Sequence, residues 1–445
     1  MPTDASFDLG LISPATAGRD QAVADDAILR ALVEAEVGIV DALVAEGVAP
    51  AGISGAALRD VALDARALAR EAVAGGNPVI PLVAQLRVGA SDDLMPWIHR
   101  GATSQDILDT ALMIVAKDAV GRIRADLSRV ERALEAFAAE NADVVAAGRT
   151  LTQHAVPTTI GLRASGWRRG ATRAIAQLDA LELPAQFGGA AGTMAAMVEI
   201  VRASVSTQRS QNGAAEGRHA AQAAERPPID CVVLEKVQAI RAAYADAVGL
   251  AHLDAPWHTQ RFPVTELGDA VTQAIDALGK MATDVATASR TEIGELAEPT
   301  GGGSSAMPQK QNPARSVLIR SAALRAPQLG ATLHLASALA ADERPDGAWH
   351  AEWPALRELL RLALGAASHA ADLAEGLRVD RDAVARTLAA TDGLIVSERL
   401  SAVLGKDRAA EVVAQVAAGA DLATLVDPAL LDPSDYTGLA RAWTP

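Results

Sequence analysis

Hydrophobic positions recur along this chain at alternating steps of three and four residues. The longest run passes through Leu112, Ala116, Ala119, Ile123, Leu127, Val130, Leu134 and Phe137, the stripe that an α-helix turns to one side. No proline interrupts the interval from Pro96 to Pro157, so the spacing predicts a single long amphipathic helix there. A second proline-free interval, Pro263 to Pro299, predicts a helix from about Glu266 to Ser289. A third is expected from Ala314 to Leu339, with Pro327 as the place for a bend. Long helices with one apolar stripe bury it against each other, so the pattern predicts a bundle.

Before the bundle, Asp25 and Asp26 lead into a helix whose face carries Leu29, Leu32, Val33, Val40, Leu43 and Val44 and which ends near Gly47. After about residue 350, Gly376, Gly393 and Gly405 break the pattern into shorter helices. The expected fold class is all-α, in three helical domains: an N-terminal one over residues 1–108, a central long-helix bundle over 109–345 and a C-terminal one over 346–445. Residues 206–228 are polar, end in Pro227 and Pro228, and read as a mobile surface insertion. No fixed-period repeat is present.

Composition sharpens this picture. Hydrophobic residues make up 50% of the chain but aromatics only 3%, so the core must be Ala, Leu, Val and Ile, which favours closely approaching helices over sheets. A net charge of −15 argues against a nucleic-acid partner. The single cysteine, Cys231, excludes an intrachain disulfide framework and a thiolate-rich metal site, and fits a reducing compartment. The N-terminus lacks a basic segment followed by an apolar one, and no window approaches eighteen uninterrupted apolar residues. The expectation is a soluble, cytoplasmic protein without a membrane partner.

Three polar stretches could carry chemistry. In "GGGSSAMPQKQNP", residues 301–313, three glycines loosen the backbone, Ser304 and Ser305 supply hydroxyls and Lys310 an ammonium. Composition alone divides evenly between a flexible linker and a lid that closes on substrate. In "HRGATSQDILDT", residues 99–110, Thr103 and Asp106 have capping-box spacing and open the long helix, whose positive end could hold an anion between backbone N–H groups and the hydroxyls of Thr103 and Ser104. An ordinary helix cap gives the same spacing. In "GRTLTQHAVPTTIG", residues 148–161, Pro157 suits the first turn of a following helix, and His154 is either a site imidazole or one bonded to backbone. Arg261 in "PWHTQR" offers a fork for a polycarboxylate or makes a surface salt bridge, and Arg315 could join Lys310 in holding carboxylates. Trp349 and His350 read as structural or as interface residues, and His219 is given no role.

The first stretch resembles the signature of the fumarase/aspartase superfamily, G-S-S-x-M-P-x-K-x-N-P, matched at Gly303, Ser304, Ser305, Met307, Pro308, Lys310, Asn312 and Pro313. The resemblance implies that this loop closes over the site, that Ser304 exchanges a proton with a substrate carbon and that Lys310 is its electrostatic partner; His154 is the other candidate for the catalytic proton. It implies substrate binding by His99, Thr103, Ser104, Gln105, Arg149, Gln153, Arg261, Ser305, Met307, Asn312 and Arg315. It further implies a homotetramer whose central domains form one bundle, sites built from three subunits, a small polycarboxylate substrate, and neither cofactor nor metal.

Superfamily members that eliminate an amine carry a histidine directly after the Arg-Thr pair, where this chain has Leu151. A leucine cannot protonate a leaving group, whereas a carboxylate, whose conjugate acid has a pKa near 4, leaves or adds unaided. The segments "TQHAVPTT", "QFGGAAGT", "PWHTQR" and "GAWHAEW" make the chain similar to the 3-carboxy-cis,cis-muconate cycloisomerase branch, which implies lactonisation of that triacid in protocatechuate degradation. Two alternatives stay open: a fumarate-releasing lyase acting on a succinyl conjugate such as adenylosuccinate, and a noncatalytic structural relative.

Overall fold

The computed structural model describes residues 10–212, 230–303 and 306–445. Thirteen α-helices are present among them. The N-terminal part holds α1 (Asp25–Ala45), α2 (Ala65–Gly75) and α3 (Val79–Gly89). Then come α4 (Ser104–Glu140), the hairpin strands β1 (Val145–Thr150) and β2 (Gln153–Thr159), α5 (Ile160–Asp179), α6 (Ala195–Asn212) and α7 (Cys231–Ala247). Next are α8 (Phe262–Ala288), β3 (Leu296–Ala297), α9 (Ala314–Ala338), α10 (Gly347–Glu375) and β4 (Arg378–Val379). The chain closes with α11 (Arg381–Ala389), α12 (Ser397–Leu404) and α13 (Lys406–Ala417).

The predicted long helix is α4, and at 1.5 Å per residue its 37 residues span about 55 Å. All eight stripe residues from Leu112 to Phe137 are buried in one continuous core. Ion pairs at both ends fix how its neighbours run. Arg124 pairs with Asp179 and Arg168 with Glu135, so α5 runs back along α4. Trp349 reaches Asp109 and Glu375 reaches Arg129, so α10 runs parallel to it. With α8 and α9 these make a five-helix bundle. Small residues let the helices approach: a β-carbon on Gly268 of α8 would lie 2.6 Å from Leu333 Cδ1 of α9.

The predicted second helix begins at Phe262 rather than Glu266, because Pro263 occupies the first turn, where its missing N–H costs nothing. The third continues through Pro327 to Ala338. Three sequence expectations are corrected. Helix α10, assigned above to a C-terminal domain starting at 346, shares the bundle core through Leu356, Leu359, Leu360 and Ala363, so the separate C-terminal core starts later, at Leu388 and beyond, around Ile395, Val396, Leu400 and Val412. Pro157 lies in strand β2, and the next helix starts at Ile160 with Thr159 as its cap, so no proline opens it. Helix α6 extends to Asn212, so the first residues of the polar segment 206–228 are helical; those from 213 on lie outside the described residues.

The strand pair β1/β2 is antiparallel, joined by Leu151 and Thr152, with a register shift at Gly148. A β-carbon there would come 2.7 Å from the Val156 carbonyl oxygen. Ala147 of β1 packs into the C-terminal core, which thereby holds the hairpin beyond the far end of α4.

Candidate active site

The stretch at residues 99–110 folds as the N-terminus of α4. Thr103 and Asp106 form the expected capping box, and the Thr103 N–H donates to Asp106 Oδ2 at 2.9 Å. Asp106, fully buried, also accepts from the N–H groups of Gly188 (2.8 Å) and Gly189 (3.0 Å) and meets His258 Nε2 at 2.8 Å. A carboxylate already accepting three N–H groups is an acceptor for the fourth partner too, so His258 Nε2 carries the hydrogen. This ties the "QFGGAAGT" and "PWHTQR" segments to the helix end.

His99 is held by buried Glu36, which accepts its backbone N–H at 2.9 Å and faces its Nδ1 at 2.7 Å. That fixes the ring and leaves Nε2 for other partners. Ser104, half-buried, begins the helix. The Thr103 hydroxyl accepts a hydrogen bond from Arg344, whose guanidinium also donates to the Ala190 carbonyl at 3.0 Å. Arg344 thus brings a cation to a helix N-terminus already suited to an anion. Sequence reading missed it, because it lies 241 positions from Thr103 and carries no periodic signal.

Several expected binding residues have other partners. Gln105 is completely buried, with its Nε2 donating to the His258 carbonyl at 2.8 Å. Arg261 is 1% exposed and donates to Asp109 (2.7 and 3.0 Å) and to Glu352 (2.6 to 3.2 Å), while stacking on Trp257 at 4.7 Å. Both sides of the fork are occupied, so its role is structural and it is withdrawn from the substrate set. Trp349 Nε1 completes this knot by donating to Asp109 at 2.9 Å, in line with its structural reading. Burial disfavours the Arg261 charge, but the two carboxylates outweigh burial and raise its pKa. Two carboxylates share one guanidinium, and burial with the nearby Asp109 pushes the Glu352 carboxyl up despite Arg261.

The other two stretches lie at the opposite end of α4. In the hairpin, Gln153 is exposed and His154 half-buried, opposite Arg149 in register. Arg149, expected to bind substrate, forms a two-pronged pair with fully buried Glu295 (2.7 and 2.9 Å), which Arg163 and the Thr387 hydroxyl also approach. Burial alone would raise the Glu295 carboxyl, but these partners hold it below the ordinary glutamate range. Its ionised form therefore stabilises the fold fully above the unfolded-state pKa, and that contribution is lost as pH falls through the depressed folded-state value. Glu295→Gln is expected to flatten the loss of stability below about pH 4.3, measured as the urea midpoint against pH. A slope matching the unaltered protein would refute this.

The loop 301–313 emerges between β3 and α9. Ser304 and Ser305 lie outside the described residues. Lys310 and Met307 are exposed, and Gly302 and Asn312 pair through N–H···O bonds of 2.8 and 3.0 Å. The Asn312 amide reaches the Gly303 carbonyl at 3.4 Å. Arg315 has partners of its own: its Nη1 donates to Thr300 Oγ1 at 2.7 Å and its Nη2 faces Asp372 at 3.9 Å. Within one chain, the structure therefore joins the bases of hairpin and loop through Glu295 and its neighbours and sets the helix-end stretch a helix length away.

A buried-core bundle, an anion-adapted helix end and a signature loop together define a lyase-type enzyme fold. The chain belongs to the lyase family of the fumarase/aspartase superfamily, whose pattern it matches over residues 73–208 and 238–327. It is 43% identical to nitrosuccinate lyase of Streptomyces davaonensis, covering 98% of this chain and 94% of that one. It is 35% identical to 3-carboxy-cis,cis-muconate cycloisomerase of Pseudomonas aeruginosa, covering 96% and 90%. Among solved structures, the 3-carboxy-cis,cis-muconate lactonizing enzyme of Pseudomonas putida superposes with a TM-score of 0.80 at 31% identity, over 96% of this chain and 94% of that one. Fumarate lyase from Mesorhizobium follows at 0.77 and 27%, over 96% of both. No helix among the described residues is long and apolar enough to cross a membrane.

Proposed function

We propose that this enzyme eliminates a leaving group that departs as a weakly basic anion from a succinate-type dianion, with nitrosuccinate as substrate. A base, Ser304 by the signature, takes the proton from the carbon next to the one bearing nitrogen. The C–N bond breaks with its electron pair on nitrite, and the carbon–carbon double bond of fumarate forms. Lys310 supports the charge that develops on the substrate carboxylate. The observation carrying this reading is Leu151: at the position of the amine-protonating histidine stands an apolar side chain, 97% exposed at the hairpin tip. An amine leaves as a strong base and needs an acid there, whereas nitrite and carboxylates are weak bases and do not. The 43% identity to a nitrosuccinate lyase supports nitrite as the leaving group.

The second reading is the lactonisation of 3-carboxy-cis,cis-muconate, supported by the same leucine and by the 35% identical cycloisomerase. The two separate on offering 2-nitrosuccinate, 3-carboxy-cis,cis-muconate and adenylosuccinate in parallel. Equal amounts of nitrite and fumarate, with kcat/KM about 100-fold or more above the other two substrates, are expected. Rapid loss of diene absorbance without nitrite release would install the cycloisomerase reading, efficient cleavage of adenylosuccinate would sink both, and no turnover would leave a structural relative.

The same reading includes a homotetramer with shared sites. Its support is α9, which is apolar on two faces: Ile319, Ala322, Ala326 and Leu333 point into the bundle, while Val317, Leu324, Ala331 and Leu335, with Leu339 just past its end, remain exposed at steps of seven and four. A helix apolar on both sides is suited to burial on both. With the helix-end stretch about 55 Å from the hairpin along α4, convergence of the motifs calls for other copies.

A further inference from the structure

The loop 301–313 leaves the bundle through a stapled neck. On one strand of the neck stand Glu298, Thr300 and Gly302; on the other Asn312, Arg315 and Ser316. Buried Glu298 accepts the backbone N–H groups of Arg315 (3.0 Å) and Ser316 (2.8 Å), capping the start of α9 across the loop rather than from the preceding residue. Gly302 and Asn312 exchange two backbone hydrogen bonds. Between these rungs, Arg315 Nη1 donates to Thr300 Oγ1 at 2.7 Å, and the same guanidinium faces Asp372 of α10 at 3.9 Å. Asp372 is held in turn by Arg129 (3.2 Å) and by Arg19 (3.5 Å), which also donates to Ser368 Oγ at 2.8 Å.

We propose that Arg315 is a positioning residue: with Thr300 and Asp372 it forms a clasp that fixes the direction in which the signature loop leaves the bundle. Its guanidinium is spent on the neck, and what it contributes to turnover it contributes through the loop. A loop of about ten residues tethered at one rung pivots, whereas one tethered at three successive rungs is confined. Glu298 and the Gly302–Asn312 pair supply two rungs by backbone contact, and the Arg315–Thr300 bond is the one made by side chains alone.

This inference rests on the proposed elimination only for its kinetic readout, so the test begins with one that needs no substrate. Lys310, exposed and followed by Gln311, is a trypsin site within the loop. Arg315→Met is expected to speed cleavage after Lys310 by about ten-fold in the absence of substrate, with the urea midpoint unchanged, since a charged hydrogen bond closing the neck is lost. Thr300→Val removes the acceptor without touching any charge and should shift cleavage in the same direction, which keeps the test valid should the arginine variant fold poorly. With the proposed substrate, Arg315→Met should lower kcat about ten-fold while KM changes less than about two-fold, and Arg315→Lys should recover part of it. Unchanged cleavage in both variants would overturn the clasp. Unchanged cleavage combined with a large rise in KM would return Arg315 to the substrate-binding set. Faster cleavage without any nitrosuccinate turnover would leave the clasp standing and remove the proposed reaction.

Discussion

Ser304→Ala is expected to lower kcat by about three orders of magnitude or more while changing substrate affinity only several-fold. The proposed elimination has one step that needs a base: removal of a proton from carbon. Positioned general bases are worth roughly 10²- to 10⁴-fold, and alanine offers no lone pair to accept the proton. In that reaction the leaving group needs no partner of its own, so nothing downstream limits the variant before proton transfer does. Single-turnover kinetics with substrate deuterated at the proton-donating carbon check this directly, because the residual rate should show a full primary isotope effect. Turnover close to that of the unaltered enzyme would transfer the role to another residue, with His154 of the hairpin the next to replace.

The largest effect on stability is expected at the knot of Asp109, Arg261 and Glu352. Arg261→Met removes the one cation and leaves two carboxylates buried together. Breaking a buried pair by deleting one member costs about 3–5 kcal/mol, most of it the penalty of the stranded charge. The urea midpoint should fall accordingly. Adding Glu352→Gln should recover part of the loss, since Glu352 is the carboxyl that burial already pushes towards its neutral form. A double-mutant cycle measures that recovery, and strictly additive losses would show the three groups to be uncoupled.

The bundle was readable because its signal is local. Each step from Leu112 to Phe137 is a statement about one helix face, and burial followed from it. The capping box at Thr103 was legible for the same reason, since its partners are three residues apart. Partners far apart in sequence were not. Arg261 was left between a substrate fork and a surface salt bridge, and Arg149 was placed in the substrate set by the resemblance, because their acceptors lie elsewhere: Asp109 is 152 positions from Arg261, and Glu295 is 146 from Arg149. An arginine looks the same in sequence whether it meets substrate or a buried carboxylate. The hairpin escaped because its turn uses Leu151 and Thr152 at φ +48° and +71°, where asparagine and glycine would have announced it. Left-handed conformations at such residues cost about 1–2 kcal/mol each, so the sequence there follows a demand other than turn formation.

Helix α9 has one more consequence. If its outer leucines are where copies of the chain meet, a lone chain in water carries a greasy ridge of about 33 Å along this helix. Dilution would then threaten this enzyme as much as heat does: below the concentration at which copies find each other, activity should fade and clumping begin, even at temperatures each folded chain would otherwise tolerate.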